Sequence, residues 1–279
     1  IQARQSLMQH VALVKDSKGQ VVAAYVGDLK GQLWRVDFGD AANTSSWQVG
    51  FNNKPLFQAK SSAGDQQPIT TAPLVMARSD SAVGRLVVFG TGKLTTEVDA
   101  DSTKVQTVYG VLDPVADGST SVGVTGPFEA VSDDRDLLVV RTVSATPVLA
   151  ADGRYYFAMT GAAIDWNTKR GWYMDLPAGQ QANTRPRIAY GAVAFTTNQT
   201  GGADCSAASW LYVVDVRNGQ RLSGTSGVRT TLSTTENSSG VTAVLTNNTI
   251  VGTGQTTDGK TFLTPIKDTE TIPASKNAW

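Results

Sequence analysis

The chain has 279 residues, equal numbers of acidic and basic side chains, and 17% charged positions against 41% hydrophobic ones. That balance excludes both a disordered chain and a basic nucleic-acid binder, and the length allows one large all-β domain or two ordinary ones. Glycine and small polar residues are plentiful while Lys and Glu are sparse, which favours short strands and turns over helices.

After a lead at residues 1–10, VALV at 11–14 reads as a strand and 15–20 as a turn. VVAAYVGD then runs into a Lys30-Gly31 turn and returns as LWRVDF at 33–38, a hairpin with alternating apolar residues. Such a hairpin is not stable alone in water and must join a larger stack. A polar loop with Trp47 and Phe51 follows, and then a unit begins that recurs. In it a proline opens one strand, a second ends in Gly or Thr, and a third ends in aspartate. The copies are TAPLVMA, RLVVFGTG, VQTVYGVLD; SATPVLA, RYYFAMTG, RGWYMD; and TRPRIAY, GAVAFTTN, SWLYVVD. Proline suits a first strand position because no ladder bond is lost there.

With the hairpin, these units close on Asp37, Asp113, Asp175 and Asp215, 76, 62 and 40 residues apart. The spacing shrinks towards the ~40–50 residues of a four-stranded propeller blade. Residues 113–137 read as a loop insertion without sustained period. A partial fourth copy is VTAVLTN, TIVGTG and, after an Asp258-Gly259 turn, FLTP. The pattern predicts an all-β fold, a β-propeller of antiparallel four-stranded blades with long loop insertions, over residues 1–266, and a polar tail over 267–279. A two-layer β-sandwich is the alternative.

Several chemistries find little support. His10 is the only histidine, at a strand mouth with no nucleophile motif beside it, and Cys205 is the only cysteine, which disfavours both a hydrolytic triad and zinc. Cys205 is either a buried thiol or one whose partner lies elsewhere in the protein. Asp99 and Asp101 form a DxD with alternating oxygens and are the candidate cation ligands, ahead of the Asp133, Asp134, Asp136 run beside Arg135. GTGKL at 90–94 lacks the spacing of a phosphate loop. Trp34, Trp172 and Trp210 lie in final strands and are expected in the core. Trp47 and Trp166 lie in loops and are the expected partner-facing aromatics.

GDLKGQLWRVDF resembles the GDLxGNLWRFDL signature of the C-terminal domain of the type IV pilus tip-associated PilC/PilY family. LVVFGTGKL with VQTVYGVLD, and GWYMDLP with FTT, Cys205 and SWLYVVDVRNGQRL, are similar to further blocks of that family, in the same order, across residues 25–222. The resemblance implies the later blades of a quinoprotein-dehydrogenase-like propeller, with Gly27, Asp28, Gly31, Trp34 and Arg35 as its structural motif and earlier chain completing the ring. It implies a non-enzymatic pilus-tip adhesin and type IV pilus assembly factor. Such a protein opposes retraction, supports twitching motility and surface attachment, and is exported through the periplasm to the pilus tip, outer membrane or cell surface. The implied partners are minor pilins of the tip complex, a host or surface receptor and the remaining N-terminal part of the protein, with no nucleic acid.

Some members of the family carry a DxDxDxxxD calcium loop before this signature. Here residues 15–20 hold one carboxylate, Asp16, and two lysines, so calcium is not expected at this loop, Asp99 and Asp101 stay as the candidates for it, and no other cofactor is expected. The alternatives are a propeller lectin, using loop aromatics on sugars, and a quinone-dependent dehydrogenase. The latter family's adjacent cysteine pair is absent from this sequence.

Overall fold

The computed structural model describes residues 10–39, 43–78, 84–116, 119–124, 134–151, 153–189, 191–201, 206–223, 225, 227–246 and 249–268. Cys205, Asp133 and most of the tail lie outside them. The described chain folds as a β-propeller of four sheets, with only short single turns of helix between strands.

Blade 1 is β1 (Val11–Lys15), β2 (Val21–Gly27), β3 (Gln32–Asp37) and β4 (Gln48–Val49), with β5 (Phe57–Gln58) also on β3. Blade 2 starts as β6 (Leu74–Ala77), β7 (Arg85–Gly90) and β8 (Thr107–Asp113). The chain then makes an excursion through β9 (Val139–Val140), β10 (Thr142–Leu149) and β11 (Tyr155–Thr160) before β12 (Gly171–Asp175) completes the blade on β8. Blade 3 is the meander of β13 (Arg187–Ala189), β14 (Ala192–Gly201), β15 (Ser206–Asp215) and β16 (Arg229–Ser233). Blade 4 has three described strands, β17 (Thr242–Thr246), β18 (Thr249–Gln255) and β19 (Thr261–Asp268).

Alternation along the strands explains the stacking. In β7, Val87 and Phe89 join the core against blade 1, while Leu86 and Val88 join the one against blade 3. In β15, Tyr212 and Val214 face blade 2, and Leu211 and Val213 face blade 4. Side chains on a strand point to opposite faces in turn, and here both faces are covered, so these strands read as continuous apolar runs. Each core is therefore a seam between neighbouring blades. Phe57, Phe89 and Tyr109 form one aromatic cluster, with Phe89 and Tyr109 stacked at 5.3 Å. Phe195 and Tyr212 stack at 5.1 Å in the next seam.

Three blades carry the expected four-stranded antiparallel base, and two details of the repeat need correction. SATPVLA, RYYFAMTG and RGWYMD are not one blade. GWYMD is the fourth strand of blade 2, whereas β10 and β11 attach through Phe157 and Arg229 to the outer strand of blade 3. Consequently Asp37, Asp113 and Asp215 end third strands, and Asp175 ends a fourth. Blades 2 and 3 thereby grow to five and six strands, with β9 pairing parallel to β12. The segment read as a plain loop at 113–137 includes a 3-10 turn at Asp134–Leu137 and returns two serines to blade 1. β19 extends to Asp268, two residues past the expected end of the domain.

β10 is an outer edge of the widest sheet. Its Pro147 stands opposite Phe157, whose carbonyl accepts from Val228 on the far side. The proline ring therefore occupies a position whose N–H would have pointed outward, and the ladder slips between Val143 and Pro147.

Candidate functional site

The family-type motif lies on the β2–β3 hairpin, and each of its residues has a local reason to be there. Gly31 has φ 78° and packs so closely that a Cβ would come within 2.5 Å of the Gln67 carbonyl oxygen. Only glycine meets both demands. At Gly27 a Cβ would overlap the Ile69 side chain at 2.1 Å. Asp28 Oδ1 accepts from the Lys30 and Gln32 amides at 2.9 Å each, and its Oδ2 accepts from Trp34 Nε1 at 3.2 Å. One carboxylate thus closes the turn and fixes the indole.

Arg35 is fully buried at the seam of blades 1 and 2, where it gathers two of the strand-closing aspartates. Its Nε donates to Asp37 Oδ1 and its Nη1 to Asp113 Oδ2, both at 2.7 Å. Its Nη2 donates to the Ser119 carbonyl at 3.0 Å, and the Tyr25 hydroxyl donates to Asp113. Asp37 Oδ2 accepts from the Ser121 amide at 2.8 Å and from the Ser121 hydroxyl. Burial pulls the Arg35 guanidinium down, but Asp113, Tyr25 and Asp37 more than reverse it, so it stays charged. Burial and then the Asp113 carboxylate push the Tyr25 phenol up, so it stays neutral. Arg85, register partner of Asp113 on β7, brings a second buried cation to the cluster. Such a network is rigid because every rearrangement leaves a buried charge exposed to a low dielectric.

The 119–121 segment also holds a strained turn. Phe51, Asn52 and Asn53 are consecutive non-glycine residues with φ of 51°, 57° and 65°, and the Phe51 amide donates to Ser121 Oγ at 2.9 Å. Left-handed backbone at such residues costs about 1–3 kcal/mol each. The fully buried Phe51 ring and the Ser121 bond offset that cost.

Asp175 forms a parallel arrangement, accepting from Arg135 Nη2 at 2.6 Å, with that guanidinium 4.0 Å above the Tyr173 ring. Arg135 therefore reaches inward to Asp175 and Tyr173. Asp215 pairs with Arg217 at 2.6 Å.

Of the DxD pair, Asp99 is held by protein donors. Asp99 caps the short helical turn Glu97–Ala100, accepting from the Thr95 and Thr96 amides at 3.0 and 2.8 Å and pairing with Lys93 at 3.2 Å. Burial opposes its charged form, yet those donors and the ammonium outweigh burial and bring it down to about 2. Because the folded value lies below the unfolded one near 3.8, this contribution to stability is complete above about pH 4 and disappears as pH falls towards 2. Acid titration of unfolding in Asp99→Asn is expected to lack that component; an unchanged acid limb would refute the assignment. Asp16 Oδ1 accepts from the Lys18 and Gln20 amides at 2.9 and 2.8 Å, an ordinary hairpin turn between β1 and β2. Among the described residues no three His, Cys, Asp or Glu side chains come together as a metal site, and no helix is long and apolar enough to cross a membrane.

The two loop tryptophans differ. Trp47 is 48% exposed and held edge-on by Phe38 at 4.9 Å, so it is a fixed apolar surface. Trp166 is half-buried under the Arg78 guanidinium at 4.6 Å and packs on the core between blades 2 and 3, so less of it is open to a partner than its loop position implied. Trp172 is fully buried, as expected, while Trp34 and Trp210 are half-buried. Sequence reasoning missed Arg141 and the Ser119–Ser121 return, because neither carries a local pattern.

Residues 6–130 match the family model described as the PilY1 beta-propeller domain. The type IV pilus biogenesis factor PilY1 of Pseudomonas aeruginosa PAO1 is 32% identical over 244 residues, covering 75% of this chain and 20% of that protein. A PilY1 homolog of Xylella fastidiosa is 28% identical over 221 residues, covering 73% of this chain and 14% of its own. The chain spans about a fifth or less of the length of these relatives. It superposes on the crystal structure of the Pseudomonas aeruginosa PilY1 C-terminal domain with a TM-score of 0.77, at 24% identity, covering 95% of this chain and 61% of that one. With its hairpin motif, its inter-blade seams and these relatives in agreement, the chain belongs to the PilY1 family as a β-propeller domain akin to the C-terminal one.

Proposed function

We propose that this propeller is the rigid tip-associated part of a type IV pilus biogenesis factor, acting by binding rather than catalysis. The observation that carries the reading is the match of residues 6–130 to the PilY1 propeller, supported by a pilus biogenesis factor 32% identical to most of the chain. In this reading the protein is exported through the periplasm and works at the pilus tip or cell surface. It engages the minor pilins of the tip complex and the N-terminal remainder of its own protein, opposes retraction, and supports adhesion and twitching motility. Loops on the ring meet a surface receptor, and Trp47, exposed yet fixed by Phe38, is the aromatic offered there. The buried Arg35 cluster serves this function by holding blades in register, so that loops keep their relative positions under load.

The test is a deletion strain, compared with one that also lacks the retraction motor. Surface pili and twitching are expected to fall in the first strain, and pili to return in the second. Unchanged pili in the single deletion would refute the proposal, and pili still missing from the double strain would refute the part that concerns retraction.

A further inference from the structure

Among the described residues, three buried arginines meet a carboxylate or an aromatic face. Arg35 has Asp37 and Asp113, Arg135 has Asp175, and Arg229 lies 3.5 Å over the Phe157 ring. Arg141, 1% exposed at the link between β9 and β10, meets neither a carboxylate nor an aromatic face among the described residues. Its Nε donates to the Asn218 carbonyl and its Nη1 to that of Ala162, both at 2.7 Å, with the Val140 carbonyl at 3.3 Å. Its Nη2 is buried without an acceptor. A second orphaned donor lies on the neighbouring strand, facing Gly110. Trp172 Nε1 is buried and unpaired, on the residue next to Tyr173, whose carbonyl accepts from the Arg141 amide. The Trp172 ring lies against Gly219, next to Asn218.

We propose that Arg141 anchors a buried site for a small monovalent anion, for which halide is the probe, at the junction of blades 2 and 3. Carbonyl dipoles and water satisfy N–H groups, but neither supplies the countercharge that a buried guanidinium requires. Burial accordingly pulls the Arg141 pKa down with no acid to oppose it. The anion would complete the contacts by which the excursion strands of blade 2 hold the Asn218–Gly219 turn of blade 3.

The test uses thermal unfolding of the full chain in sodium chloride, sodium bromide and sodium gluconate at equal ionic strength, with crystals grown in bromide. Halides are expected to raise Tm saturably by about 2–4 °C over gluconate, a rise of the size that ligand linkage gives a chain of this length. The rise should vanish in Arg141→Met, and an anomalous bromide peak should lie within hydrogen-bonding reach of Nη2. Equal Tm in all three salts, or a water alone at that place, overturns the proposal. Should Arg141→Met fail to fold, the bromide peak in the wild-type crystal decides.

Discussion

Arg35→Met is expected to lower the free energy of unfolding by about 3–5 kcal/mol, the cost of leaving buried carboxylates without their cation. Asp37 and Asp113 sit on different blades, and the guanidinium bridges them at 2.7 Å on each side. Removing it strands two acids at a seam, and the Ser119 carbonyl loses its donor as well. Urea titration measures the loss. Hydrogen exchange should place it, with the Ser121 amide, bonded to Asp37, among those whose protection falls most. Arg35→Lys keeps the charge but cannot reach both carboxylates and the Ser119 carbonyl at once, so it should recover only part of the loss. Adding Asp37→Asn and Asp113→Asn to Arg35→Met should recover part of the loss by removing the stranded charges, the rest staying lost because Arg85 keeps its charge opposite position 113. A loss below 1 kcal/mol for Arg35→Met would show that this cluster does not hold the blades together.

Trp172→Ala is the second large effect, at about 3–5 kcal/mol for emptying a fully buried indole site. The ring lies between two glycines from different blades. A Cβ on Gly110, its register partner on β8, would reach the ring at 2.4 Å, and one on Gly219 likewise at 2.4 Å. The converse substitution is informative. Gly110→Ala forces the indole out of its place and is expected to cost about 1–3 kcal/mol while exposing nothing polar. Tryptophan fluorescence and chemical denaturation read both. If Gly110→Ala left stability and the emission maximum unchanged, the close packing described for this seam would be wrong.

The hairpin at residues 25–38 was legible because its signals are local: a positive-φ glycine, alternation, and an aspartate two residues before the turn amide that it caps. The propeller was legible from repetition. What the sequence could not show was pairing at a distance. RYYFAMT and GWYMD are neighbours along the chain and look like one unit, yet β11 goes to blade 3 and β12 to blade 2. The decision is made by packing, since Trp172 needs the glycine at 110 opposite it, and no short-range pattern records that. Asp99 shows the same limit in miniature. Its DxD spacing carries no sign of the neighbouring amides and Lys93 that hold its carboxylate in the fold.

Pro147 has a consequence for the behaviour of many copies at once. Wherever identical molecules meet at high concentration, an open sheet margin is a template for runaway fibre growth. Here the outermost ribbon of the broadest blade is interrupted by an imino acid and a register slip. A neighbour attempting to zip alongside would find the row of donors broken midway, so high local density does not become polymer along that rim.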